Sequence, residues 1–159
     1  MSTIIEKAAS IASVLGDRTL SCAESCTAGR LTQAFAGVAG ASEWLRGGLV
    51  AYQLDVKRRY LGVQAASMFS EQCAVEMALG AARFFETDVA VSTTGVVGDD
   101  PEDGVEPGTV FIATLVSGNI VTNTHRFAEI GDAASQRAAE QALDDLLAQL
   151  RCAGDELVT

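Results

Sequence analysis

Ile4, Ala8, Ile11, Ala12 and Leu15 recur at the three- and four-residue spacing of one helical face. Residues 4–16 are therefore expected as a helix that Ser2 or Thr3 caps and Gly16 stops. A short alternating run over 19–23 predicts a strand, and helical spacing resumes over 27–36 before a loop of small residues, 37–41. The apolar run 47–52 predicts a second strand, and a short polar helix over 55–61 follows it, ended by Gly62. Ser70 is placed to cap a longer helix reaching Phe85, with Ala74, Met77, Ala78 and Ala81 on its apolar stripe. Residues 89–94 form the most β-like run. The β-branched runs 109–116 and 120–127 are separated by Ser117-Gly118-Asn119, the length and composition of a hairpin turn. A last helix is expected over 133–150, with 151–159 as a loose tail. Helices interleaved with short apolar strands, followed by an antiparallel hairpin, predict the α/β class: a compact layered α/β sandwich with a mixed sheet.

At 159 residues, 48% of them hydrophobic, the chain is long enough for a single domain with its own core, and no repeat or low-complexity linker divides it. The formal net charge of −10 argues against nucleic acid, because a phosphate backbone is held mainly by clustered Lys and Arg. Residues 1–60 nevertheless carry seven Lys and Arg against five acids, a balance that suits a small anionic ligand. No apolar run approaches the roughly 20 residues of a transmembrane helix.

Cys22, Cys26, Cys73 and Cys152 form no C-x-x-C pair, and His125 is the only histidine, which leaves no recognisable zinc site. Without a signal sequence, the cysteines read as reduced thiols of a cytoplasmic protein. Asp99, Asp100, Glu102 and Asp103 could offer oxygen ligands to Mg²⁺ or Ca²⁺, but the spacing lacks the alternating ligands, middle Gly and terminal Glu of an EF-hand. A solvated loop is the better reading, and neither a metal nor a cofactor is expected.

The chemistry-bearing stretch is Cys22-Ala23-Glu24-Ser25-Cys26-Thr27-Ala28-Gly29-Arg30, where strand pattern gives way to helix. Ser25 there reads either as a helix cap or as a nucleophile beside unpaired helix N–H donors. A nucleophile needs a base. His125 lies in a predicted strand, whereas Tyr52 ends the strand over 47–52 and Lys57 lies just inside the next helix, so both could project over one sheet edge. Lys serves as a base only when burial or neighbouring positive charge lowers its pKa from about 10.4, and Arg58 and Arg59 are the neighbours that could do so. Cys26 is an alternative nucleophile, since a thiolate is favoured at a helix N-terminus.

Ala23-Glu24-Ser25-Cys26-Thr27-Ala28-Gly29 resembles the A-E-S-C-T-G-G signature of the CinA C-terminal domain, a family of nicotinamide mononucleotide deamidases. Residues 47–63, with Tyr52, Lys57 and Leu61-Gly62-Val63, are similar to that family's G-x-V-x-Y-x4-K-x3-L-G-V block. Ser70-Glu71, Thr94-Gly95-Val96-Val97-Gly98, Gly108-Thr109-Val110 and Gly131-Asp132 continue the likeness in order. The resemblance implies a compact α/β sandwich that hydrolyses the carboxamide of nicotinamide mononucleotide to nicotinate mononucleotide and ammonia. It implies Ser25 as nucleophile, Tyr52 and Lys57 as handlers of its proton, and the Cys26 and Thr27 N–H groups as oxyanion donors. Glu24, Cys26, Thr27, Gly29, Arg30, Thr94, Gly95, Gly98 and Arg137 are the substrate-binding positions it suggests.

Three departures from the family pattern bear on the ligand. Acids occupy 99–106 where the family has proline and glycines, Ala133 replaces the Arg of its G-D-R, and Ala28 replaces the first of two glycines. Acids facing a ligand phosphate would repel it. The alternative function is therefore a catalytically silent paralogue that binds a small nucleotide-type ligand in a regulatory role. The expected partner is a small-molecule substrate, and the hairpin offers an edge at which a homo-oligomer could pair.

Overall fold

The computed structural model describes residues 2–156. Helix α1 (Ile4–Leu15) opens with a complete capping box: the Glu6 N–H donates to the Thr3 hydroxyl, and the Thr3 N–H donates back to the Glu6 carboxylate. There follow β1 (Leu20–Glu24), α2 (Arg30–Ala36), a short 3-10 turn at Ala41–Glu43, β2 (Leu45–Val50), α3 (Leu54–Leu61), α4 (Glu71–Phe85), β3 (Val89–Gly95), β4 (Thr109–Val116), β5 (Asn119–Arg126) and α5 (Asp132–Glu156). Ser70 caps α4 by accepting the Cys73 N–H.

Four details differ from the sequence expectation. Helix α2 starts at Arg30 rather than at 27, because Ala28 and Gly29 both take positive φ, 47° and 100°, and break the helical path. Strand β2 ends at Val50, so Tyr52 lies beyond the strand, in the link to α3. Helix α5 continues through the stretch expected as a loose tail, with Leu150 buried and Ala153 packed on the core; 157–159 lie outside the described residues. The hairpin loop is two residues, Ser117 and Gly118, with Val116 paired to Asn119; their φ values of 48° and 88° fit the turn twist that adjoining strands require.

The sheet order is β2-β1-β3-β4-β5, with β1 parallel to both β2 and β3 and the hairpin strands antiparallel. Strand alternation feeds two cores. Leu20, Cys22, Val89, Val91, Val110 and Ile112 face α1, α2 and α5, while Ala23, Ala90, Phe111, Ala113 and Leu115 face α3 and α4. From the carboxyl end of β1 the chain runs to α2 on one face; from that of β2 it runs to α3 on the other. Neighbouring strands whose connections part to opposite faces leave a crevice between their carboxyl ends, where open α/β sheets bind ligands.

Candidate active site

Ser25 is the first residue after β1, at that crevice. Its N–H donates to the Thr93 carbonyl (3.1 Å) and its own carbonyl accepts the Ala28 N–H (3.0 Å), so a turn rather than a helix holds it. Lys57 comes from α3. Its Nζ donates to Ser25 Oγ at 2.9 Å and to the Tyr52 carbonyl at 2.7 Å, with Met68 Sδ at 3.8 Å. The Lys57 side chain is wholly buried (0% exposed), and Ser25 is 6% exposed. Burial pushes the Lys57 pKa below the ordinary lysine value, against a smaller upward pull from the Cys73 and Cys26 thiols. The neighbouring guanidiniums do not supply this shift: Arg58 donates to the Ala65 carbonyl and Arg59 lies over the Tyr60 ring.

A cavity of about 280 Å³ opens onto this pair, lined by Ser25, Cys26, Tyr52, Gln53, Met68, Phe69, Gly95, Val97, Gly98 and Glu102. Tyr52 meets the lysine amine through its backbone carbonyl; the residue is 54% exposed and borders the cavity. Gly95 is required for close approach: a Cβ there would stand 2.6 Å from the Thr109 carbonyl oxygen. Thr94 does not line the cavity; its hydroxyl donates to the Met68 carbonyl (2.6 Å) and pins the segment that forms the opposite wall. Gln53, Met68, Phe69 and Val97 belong to the wall without any periodic signal that would have singled them out in the sequence.

Several residues expected at the ligand are engaged elsewhere. Glu24 is fully buried and points toward α2: Oε1 accepts from the Thr27 hydroxyl (2.6 Å) and the Leu31 N–H (2.9 Å), and Oε2 from the Thr32 N–H (3.0 Å) and hydroxyl (2.6 Å). The start of α2 is thus occupied by a side chain of the protein itself. Thr27 is buried between Glu24 and the Thr93 hydroxyl (2.8 Å), and Gly29 is the left-handed residue before α2. Arg30 pairs with Asp132 and faces a second cleft, about 480 Å³, between α1, α2 and α5. Arg137 pairs with Glu129 and Glu140 and lies over the Phe127 ring. His125 sits on β5, joined to Asp145 at 2.8 Å, and does not line the cavity.

The Cys26 thiol is pushed up to about 12, chiefly by burial, so the thiolate that a cysteine nucleophile needs is disfavoured. The Cys26 and Thr27 N–H groups donate to no protein acceptor among the described residues, and Cys26 borders the cavity. The acids of 99–106 do not gather: among the described residues no three His, Cys, Asp or Glu side chains form a group able to hold a metal ion. No helix of the described residues is long and apolar enough to cross a membrane.

Fold and site together define an α/β protein that presents a buried serine–lysine pair to a small cavity at the carboxyl edge of its parallel strands. The model of the CinA C-terminal domain matches residues 4–150, and the chain belongs to that family. A competence-damage inducible protein of Bacillus subtilis is 37% identical over 131 residues, 79% of this chain and 32% of that protein. A CinA-like protein of Thermotoga neapolitana is 36% identical over 140 residues, 84% and 34%. The chain spans about a third of the length of these two relatives. Among solved structures, a CinA superfamily protein from Klebsiella pneumoniae 700603 has a TM-score of 0.89 at 30% identity, covering 94% of this chain and 99% of that one. A competence/damage inducible protein from Agrobacterium tumefaciens gives 0.84 at 32%, covering 95% and 99%.

Proposed function

We propose that the protein is a serine amidohydrolase acting on a pyridine nucleotide or a related small carboxamide, the reaction implied by the likeness to nicotinamide mononucleotide deamidases. The observation that carries this reading is the 2.9 Å contact between a buried lysine amine and Ser25 Oγ at the base of a cavity. Burial favours the neutral amine, which can take the Ser25 proton as Oγ attacks the carboxamide carbon. The carbonyl π electrons move to oxygen, and the unspent Cys26 and Thr27 N–H groups are the donors for that oxyanion; one such donor is typically worth about 3 kcal/mol. The lysine ammonium returns its proton to the departing nitrogen, releasing ammonia and leaving an acyl-serine. Water, deprotonated by the same amine, then gives the carboxylate product and restores Ser25. Tyr52 contributes its carbonyl to orienting the amine.

The test is ammonia release from nicotinamide mononucleotide by the purified chain, with Ser25→Ala as control. Release that Ser25→Ala abolishes supports the assignment, and an undiminished rate in that variant sinks it. A second reading, a silent paralogue that binds without turnover, draws on Glu102 at the cavity and on Arg30 and Arg137 being engaged elsewhere. It predicts thermal stabilisation by ligand with no product.

A further inference from the structure

The cavity of about 280 Å³ falls just short of the roughly 300–1,000 Å³ that encloses a whole drug-sized ligand, so it can seat a carboxamide ring against Ser25 while the rest of the ligand passes out of the mouth. Its lining includes one charged residue, Glu102, which is exposed. Lys57 lies behind Ser25 and is committed to the Ser25 hydroxyl and the Tyr52 carbonyl.

Glu102 is held there by local structure. The Glu102 and Val105 N–H groups donate to each other's carbonyls (3.0 and 2.8 Å) across Asp103 and Gly104, whose φ values are 51° and 76°. These are the conformations of a tight primed turn, for which Asp-Gly is a favoured sequence. Ser67 Oγ donates to Asp103 Oδ2 at 2.7 Å, tying the turn to the Met68 and Phe69 wall.

Among the described residues no Lys, Arg or His forms an ion pair with Glu102. Arg30 faces the other cleft and pairs with Asp132, Arg137 pairs with Glu129 and Glu140, and position 133, in the first turn of α5, is alanine. A phosphate leaving past Glu102 meets like charge with no guanidinium to receive it, whereas an N-glycosylated pyridinium ring, itself a cation, meets a carboxylate.

We infer that this cavity prefers the phosphate-free, nucleoside form of a pyridinium carboxamide to the mononucleotide, and that Glu102 sets the preference. The inference rests on the amidohydrolase reading and narrows its substrate class. The experiment compares kcat/KM for ammonia release from nicotinamide riboside and nicotinamide mononucleotide. Binding of each compound to Ser25→Ala protein is measured alongside by calorimetry. The riboside is expected to be preferred about tenfold at low ionic strength, with the margin shrinking as salt is added.

Glu102→Gln should shift the ratio toward the mononucleotide by about fivefold, since one near, partly exposed charge contributes modestly. Asp100→Asn, on the same loop but outside the cavity wall, should shift it less than about twofold, a distant exposed charge being largely screened. A mononucleotide preference in the unmodified chain, or a ratio that Glu102→Gln leaves in place, overturns the inference while the amidohydrolase reading stands. If neither compound releases ammonia, that reading falls, and the calorimetric ratio still decides the ligand preference: tighter binding of the mononucleotide overturns it.

Discussion

Glu24→Gln separates a carboxylate that builds the site from one that touches the ligand. The carboxylate receives four donors, two of them the backbone N–H groups of Leu31 and Thr32 at the start of α2. Glutamine keeps the shape but offers one oxygen and one NH₂. Whichever way the amide turns, one of the two backbone N–H groups then faces another donor in a buried place. An unmet buried donor costs about 1–3 kcal/mol, and the charge-assisted character of the remaining bonds is lost as well, so the total is roughly 2–4 kcal/mol. At about 2–4 °C per kcal/mol for a chain of this size, the melting temperature of the ligand-free protein should fall by roughly 5–15 °C. Thermal melts followed by circular dichroism at fixed pH measure this directly. An unchanged melting temperature with a raised KM would refute the structural role and return Glu24 to the ligand-binding set.

Lys57→Met should lower kcat by roughly 10²–10⁴-fold, the usual worth of a general base. It should also remove a pH dependence of stability. The folded lysine pKa is lowered by burial, so between that value and the unfolded value of about 10.4 the unfolded chain binds more protons, and stability from this group rises with pH across the window. Urea unfolding at a series of pH values should show that rise in the parent and not in the variant; parallel curves would mean that the amine is not desolvated. Ala28→Gly should stabilise by roughly 0.5–1 kcal/mol, because left-handed backbone costs a non-glycine residue about 1–2 kcal/mol and glycine returns part of that in entropy. A urea midpoint that stays put or falls would contradict this. Alkylation at mildly alkaline pH, mapped by peptide mass, should label exposed Cys152 well before Cys26; labelling of Cys26 at a matching rate would revive a thiol nucleophile.

The elements that the sequence made legible are those whose signals are local. The cap expected at Ser2 or Thr3, the Ser70 cap and the β-like run 89–94 each fix an element within a few residues. The start of α2 was not legible, because an alanine at position 28 gives no hint of positive φ. The Ser25–Lys57 pairing came from motif spacing. The burial that depresses the lysine does not, since it depends on Leu61, Val63, Ala65, Met77 and their neighbours closing α3 onto α4. The direction in which Glu24 points was open to one available rule. Along β1 it shares the parity of Leu20 and Cys22, which face α2, whereas Ala23 faces the layer of α3.

That parity has a chemical consequence. Lys57 Nζ donates to Ser25 Oγ at 2.9 Å, to the Tyr52 carbonyl at 2.7 Å and to Met68 Sδ at 3.8 Å; a neutral amine has one lone pair and two N–H groups, so in that form the Ser25 contact can reverse while the carbonyl and the thioether keep the two N–H groups. An ammonium would need a third good acceptor, and thioether sulfur is already a weak one. A carboxylate close by would supply it and raise the lysine pKa, disabling the base at neutral pH. The alternation of β1 aims Glu24 at the first turn of α2, on the opposite face of the sheet from α3, and the turn over 102–105 keeps Glu102 at the exposed end of the cavity. The ionisable groups that bear on Lys57 are the Cys26 and Cys73 thiols, and burial holds both in the neutral, protonated form. The strand register that commits Glu24 to the start of α2 thus keeps its carboxylate charge on the other face of the sheet from the Lys57 amine.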